Sequence, residues 1–115
     1  RIEGRLFEGN RAANGLATAG GLLVEGGVVV NTPVVINTTF RDNGGSYSGG
    51  AIYLSSAAHI EGCIFENNSA NQTGGVWVEP GISGQMVVLN CSFKGNGVGA
   101  LGLYSITYVE GCTFE

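Results

Sequence analysis

One short motif recurs through the chain and limits what it can fold into. Phe-x-x-Asn stands at "FEGN" (7–10), "FRDN" (40–43), "FENN" (65–68) and "FKGN" (93–96), and a fifth copy opens at Phe114-Glu115. Successive phenylalanines lie 33, 25, 28 and 21 residues apart. After each Asn come small residues and then an apolar run, opened by a Gly pair in "GGLLV" (20–24), "GGAIYL" (49–54) and "GGVWV" (74–78); the last copy has the degenerate "VGALGLY" (98–104). A second apolar run precedes each later Phe: "VVINTTF" (34–40), "HIEGCIF" (59–65), "MVVLNCSF" (86–93) and "YVEGCTF" (108–114). Ile2-Glu3-Gly4-Arg5 spells a common protease-cleavage linker. It aligns, however, with Ile60-Glu61-Gly62-Cys63, so we read it as the end of a preceding coil. The repeat is expected to continue beyond Arg1 and Glu115.

Each unit offers two or three strands of four to seven residues, too few to bury an apolar face alone. Stacking one unit on the next pairs every strand with its counterpart about 4.8 Å above and closes a shared core. Parallel pairing needs crossovers, and the turns of a coil supply them. Ankyrin and leucine-rich repeats have similar lengths, but they need helical stretches or a Leu-x-x-Leu-x-Leu pattern, and this sequence has neither. The expected fold is all-β: a right-handed parallel β-helix of about four coils, a fragment of a longer helix. The approximate coil bounds are 7–39, 40–64, 65–92 and 93–115.

Strict alternation within "VLNCSF" puts Leu89, Cys91 and Phe93 on one face and Val88, Asn90 and Ser92 on the other. Within "VINTTF" it puts Ile36, Thr38 and Phe40 inward, and Asn37 and Thr39 outward. The Ile-Glu-Gly-Cys-Ile-Phe coils then read as one residue longer, with Gly62 or Gly111 absorbing the excess as a bulge. Three ladders are expected: Phe7, Phe40, Phe65, Phe93 and Phe114; Asn10, Asn43, Asn68 and Asn96; and Cys63, Cys91 and Cys112. Asn tolerates the left-handed backbone of a sharp turn, and its amide can bond to the Asn one coil above. The Gly pairs are expected to permit the next corner.

Composition agrees. Charged residues make up 12% and apolar residues 43%, the reverse of a disordered chain. The 21 glycines follow no three-residue period, so collagen is excluded. Net charge is −4, and the five cations (Arg1, Arg5, Arg11, Arg41, Lys94) form no stripe, so no nucleic-acid partner is expected. No apolar run nears the roughly 20 residues of a membrane span, so direct membrane insertion is not expected. No signal peptide is visible; if the protein is secreted, its address lies outside this sequence.

With Phe-x-x-Asn four times and Gly-Gly-[Ala/Leu/Val]-[Ile/Leu/Trp] three times, the chain resembles the polymorphic outer-membrane-protein repeat, and more broadly the pectate-lyase-type right-handed β-helices. The best matches are "FRDNGGSYSGGAIYL" (40–54) and "FENNSANQTGGVWV" (65–78). The first resemblance implies the passenger stalk of a surface protein that displays and binds. The second implies, for an enzyme, a calcium-holding acidic cluster with an arginine base. Departures are the long first coil and the missing Gly pair in the last.

The residues offer little for catalysis. Asp42 is the only aspartate, and Glu3, Glu61 and Glu110 occupy equivalent positions that read as a solvated ladder of like charges one coil apart. His59 has no Cys or Asp at ligand or triad spacing and reads as a surface histidine. Tyr53 and Trp77 point the same way. If outward, with Tyr104 nearby, they form an aromatic strip on which sugars stack; if inward, they are core. The three cysteines fit no zinc motif and read as a buried thiol stack or as one disulfide between neighbours plus a free thiol. Arg5 takes the cysteine position in the first coil, so either that coil is out of register or Arg5 emerges at an irregular end. Four sequons offer N-glycosylation at Asn37, Asn67, Asn71 and Asn90.

No catalytic residue, metal or cofactor is therefore expected. We expect a non-catalytic structural or adhesive segment of a secreted or cell-surface protein, a building block of an extracellular fibre. Its expected partners are further coils of the same protein, or identical subunits end to end, and attached or bound glycans. The competing readings are a slice of a polysaccharide-active lyase or hydrolase and a glycan-binding module using Tyr53 and Trp77.

Overall fold

In the computed structural model, residues 1–12, 19–24, 32–46, 48–79, 84–102 and 107–115 are described. They form fourteen short strands: β1 (Ile2–Glu3), β2 (Leu6–Glu8), β3 (Leu22–Val24), β4 (Val34–Ile36), β5 (Thr39–Arg41), β6 (Ile52–Leu54), β7 (His59–Glu61), β8 (Ile64–Glu66), β9 (Val76–Val78), β10 (Met86–Leu89), β11 (Ser92–Lys94), β12 (Leu101–Gly102), β13 (Thr107–Glu110) and β14 (Thr113–Phe114). Every third strand stacks on its counterpart. The first sheet runs β1-β4-β7-β10-β13, the second β2-β5-β8-β11-β14 and the third β3-β6-β9-β12. All the strand pairs are parallel. The chain therefore winds as a right-handed parallel β-helix, with five rungs in two sheets and four in the third.

The core is a set of columns. Phe7, Phe40, Phe65, Phe93 and Phe114 stack at centroid separations of 4.9, 5.1, 4.7 and 5.1 Å, with ring planes within 7° of parallel. That spacing is the strand repeat itself, so ring stacking and backbone pairing satisfy one geometry. Val35, Ile60 and Val88 fill a second inward column, and Ile52 with Val76, then Leu54 with Val78, fill the third side.

Two details differ from simple alternation. Val35 and Val88 are buried, whereas Ile36 and Leu89 face outward and are only half-buried. The cause is the corner between the first and second sheets. Asn37 and Asn90 adopt φ of 49° and 53°, and Gly4, Gly62 and Gly111 stand at the same corner with φ of 61°, 63° and 66°. One left-handed residue at this corner of each coil resets the alternation, so the residue two before it (Val35, Val88) and the residue just after it (Thr38, Cys91) both point inward. The Ile-Glu-Gly coils therefore carry no extra residue, and no bulge is needed. Arg5 keeps the register, pairing through Leu6↔Thr39, and its side chain is exposed.

At the next corner the left-handed residue is the one before each ladder Asn: Gly9, Asp42, Asn67 and Gly95. The ladder asparagines contribute hydrogen bonds, from their side-chain amides and their backbone N–H groups. Asn10 Nδ2 donates to Asn43 Oδ1 at 3.0 Å, Asn43 Nδ2 to Asn68 Oδ1 at 3.0 Å, and Asn68 Nδ2 to Asn96 Oδ1 at 2.9 Å. The same Nδ2 groups donate backward, Asn43 to the Phe7 carbonyl and Asn68 to the Phe40 carbonyl. The Gly pairs work through close approach rather than dihedral freedom. A Cβ on Gly74 would sit 2.2 Å from the Asn68 carbonyl oxygen and 2.6 Å from that of Gly97.

Gly62 faces both demands, because a Cβ there would also lie 2.3 Å from Asn37 Oδ1. Gly62→Ala is expected to cost about 1–2 kcal/mol for the left-handed conformation alone, plus the displacement of Asn37. Chemical denaturation checks this: adding Asn37→Gly should recover the steric part and leave the conformational part.

Candidate functional site

The third sheet presents the most ligand-like surface. Its inward residues Ile52, Leu54, Val76 and Val78 are fully buried, so Tyr53 and Trp77 between them face outward. They are direct cross-strand partners, and the outward column runs Leu23, Tyr53, Trp77, Gly102. A Cβ on Gly102 would lie 2.6 Å from Trp77 Cε3. The indole therefore leans over the glycine, which leaves the room a side chain would take. The result is a half-buried aromatic strip on the outer face. Tyr104 lies outside the described residues.

The outer face of the first sheet carries the carboxylates. Glu3, Glu61 and Glu110 do share a column, but Ile36 and Leu89 stand between them, so the carboxylates are two coil spacings apart rather than one. His59 is half-buried and its Nε2 lies 2.8 Å from Glu61 Oε2. Two coils on, Tyr108 donates its hydroxyl to Glu110, and that bond holds the Tyr108 phenol above its ordinary pKa. His59 and Glu61 sit two apart on one strand, a spacing that places both on one face. That spacing is visible in the sequence, where a Cys or Asp partner for His59 is absent but Glu61 stands two residues on. Among the described residues no group of three or more His, Cys, Asp or Glu side chains is placed to hold a metal.

The cysteines point inward on successive rungs and are free thiols; Cys63 and Cys91 are buried and Cys112 half-buried. Each thiol donates to the carbonyl two residues back: Cys63 to Glu61 at 3.4 Å, Cys91 to Leu89 at 3.2 Å, Cys112 to Glu110 at 3.5 Å. Thr38, one rung earlier, does the same to Ile36 at 3.0 Å. The column thus selects a small side chain that can satisfy the corner carbonyl. Its hydrogen bond with Cys63, and then burial, push the Cys91 thiol far above its ordinary range. Such a thiol is a poor nucleophile. Cys91→Thr is expected to cost less than about 1.5 kcal/mol, since Thr38 already fills the same position; a denaturant midpoint measures it.

The four sequon asparagines, Asn37, Asn67, Asn71 and Asn90, are all exposed. A feature of the second sheet went unread in the sequence. One residue after each Phe stands Glu8, Arg41, Glu66, Lys94 and Glu115, alternating in sign. Glu8 pairs with Arg41, Arg41 with Glu66, and Glu66 with Lys94 across the rungs. Arg41 Nη2 lies 2.6 Å from Glu8 Oε1. That bond, with Asp42 and Glu66 nearby, raises the guanidinium pKa.

Parallel rungs, stacked aromatic and amide columns and left-handed corners define the class: a β-helical solenoid built of short, unequal coils. A family model described as the right-handed β-helix region matches residues 2–115, and the chain belongs to that family. Comparison with curated proteins and with solved structures gives no match. Among the described residues no helix is long and apolar enough to cross a membrane.

Proposed function

We propose that this chain is a non-catalytic structural segment of a secreted or cell-surface β-helix protein, a stiff spacer in an extracellular fibre that joins further coils. The observation that carries the reading is the continuity of the Phe and Asn columns from rung to rung, which commits those inward rings and amides to coil-to-coil contact. The likeness to the polymorphic outer-membrane-protein repeat supports display at a surface. On the outer faces, carboxylates are separated by apolar or cationic rungs, an arrangement suited to solubility and stacking more than to acid–base chemistry. A panel of neutral and uronic-acid polysaccharides tests this: the reading expects neither new reducing ends nor unsaturated products. Turnover lost in Glu61→Gln would overturn it.

The outward Tyr53–Trp77 pair favours a second, adhesive role, in which a sugar ring stacks on the strip. Glycan-array binding that falls at least about tenfold in Trp77→Ala supports it, that factor corresponding to the loss of one stacked aromatic contact; unchanged binding removes it. N-glycans at Asn37, Asn67, Asn71 or Asn90 belong to the same extracellular reading, and intact mass before and after deglycosylation reads them directly.

A further inference from the structure

The rungs of this solenoid are of two alternating kinds. In the first, third and fifth rungs the outward residue of the first sheet is Glu3, Glu61 or Glu110, the following corner is Gly4, Gly62 or Gly111, and the residue after Phe is Glu8, Glu66 or Glu115. In the second and fourth rungs the same three places hold Ile36 or Leu89, Asn37 or Asn90, and Arg41 or Lys94. Each difference has a physical reason across the coil boundary. A Glu beside Ile or Leu avoids a like charge one coil away. The corner Asn places its Oδ1 where the Cβ of the next coil would stand, 2.3 Å from a Cβ on Gly62 and 2.2 Å from one on Gly111, so the next coil must offer Gly there. A cation set between two carboxylates attracts both and separates them by two coil spacings.

We infer that the unit of repetition is a pair of unlike coils, and that the open rung β13–β14 is a docking surface for a coil of the second kind, apolar over Glu110 and cationic over Glu115, with Gly111 leaving room for the Asn such a coil carries at the corner. This rests on the stacking role proposed above and narrows its partner. At the other end the outer rung β1–β2 is also of the acidic kind, with Glu3, Gly4 and Glu8. Two copies of this chain set directly end to end would therefore meet Glu on Glu, at Glu110 and Glu3 and at Glu115 and Glu8. Val109 and Phe114, partly exposed on the open rung, gain apolar cover from any coil, so the choice of kind comes from the outward columns.

The test extends the whole chain in two ways. Glu115 is equivalent to Glu66 and to Arg41, so a second copy of residues 67–115 or of residues 42–115 continues the coil in register. The first extension places the basic rung of Met86–Lys94 on β13–β14; the second places the acidic rung of His59–Glu66 there. The first is expected to melt in one transition, about 5–10 °C above the parent chain. It should also slow exchange of the Phe114 amide, which faces the next coil as the Phe93 carbonyl faces Glu115. The second is expected to show no rise and no added protection at Phe114. Equal gains in both would overturn the pairing rule while leaving stacking intact. No gain in either would overturn the stacking reading itself.

Discussion

Replacing Phe65 with alanine is expected to destabilise the chain by about 3–5 kcal/mol, the range for deleting a fully buried aromatic side chain. Phe65 is sealed from solvent, and its ring stacks on Phe40 at 5.1 Å and on Phe93 at 4.7 Å. Removing it opens a gap in the middle of the column, and the rungs above and below cannot close it because their separation is fixed by the strand spacing. Against the 5–15 kcal/mol or so that holds a typical domain folded, such a loss is a large fraction. The control is Phe114→Ala, at an outer rung where the ring is 52% exposed and has one stacking neighbour. That change is expected to cost below about 1.5 kcal/mol, since roughly half the apolar area is already in water. Equilibrium denaturation of both variants gives the comparison.

Asn68→Ala is expected to cost a similar amount, about 3–5 kcal/mol, by a different route. The Asn68 amide is fully buried and makes four hydrogen bonds: it donates to the Phe40 carbonyl and to Asn96 Oδ1, and it accepts from the backbone and side-chain N–H groups of Asn43. Alanine leaves several of these buried groups without partners, at about 1–3 kcal/mol for each one that water cannot reach. Asn68→Asp keeps the shape and the acceptor but puts an oxygen where Nδ2 donates, facing the Phe40 carbonyl and Asn96 Oδ1. Its carboxyl should be driven to the neutral form, raising its folded pKa above the unfolded value of about 3.9. A raised carboxylate pKa means the folded state binds the extra proton more tightly. Asn68→Asp should thus be most stable in acid and lose stability as pH rises from about 4 through the folded pKa. The parent chain, with an amide at this position, lacks that dependence from residue 68.

The Phe-x-x-Asn spacing made the coil legible because each element of the motif has one use: a ring that stacks at the strand repeat and an amide that bonds along the stack. The Tyr53–Trp77 register was legible for the same reason, since the Gly pairs align the two strands before any coordinates are drawn. Strict alternation failed at Ile36 and Leu89 because it assumes an uninterrupted strand, and a single left-handed residue at Asn37 or Asn90 reverses the faces. Reading Gly62 as a bulge followed from the same assumption. The Asn ladder makes its hydrogen bonds along the stack, but the left-handed conformation belongs to the residue before each ladder Asn, because Asn43 and Asn68 must point their amides inward. The alternating signs at Glu8, Arg41, Glu66, Lys94 and Glu115 were present in the letters. They gain meaning only when residues 21 to 33 apart are known to be neighbours.

The central claim is that successive coils lie directly on one another in parallel register. Nuclear Overhauser contacts among the phenylalanine rings in solution test it most directly, with each ring labelled in turn. The account predicts that Phe65 contacts Phe40 and Phe93, that Phe93 contacts Phe114, and that Phe40 and Phe93 do not touch each other. Rings that contact unrelated parts of the chain, or Phe65 contacting neither neighbour, would contradict it.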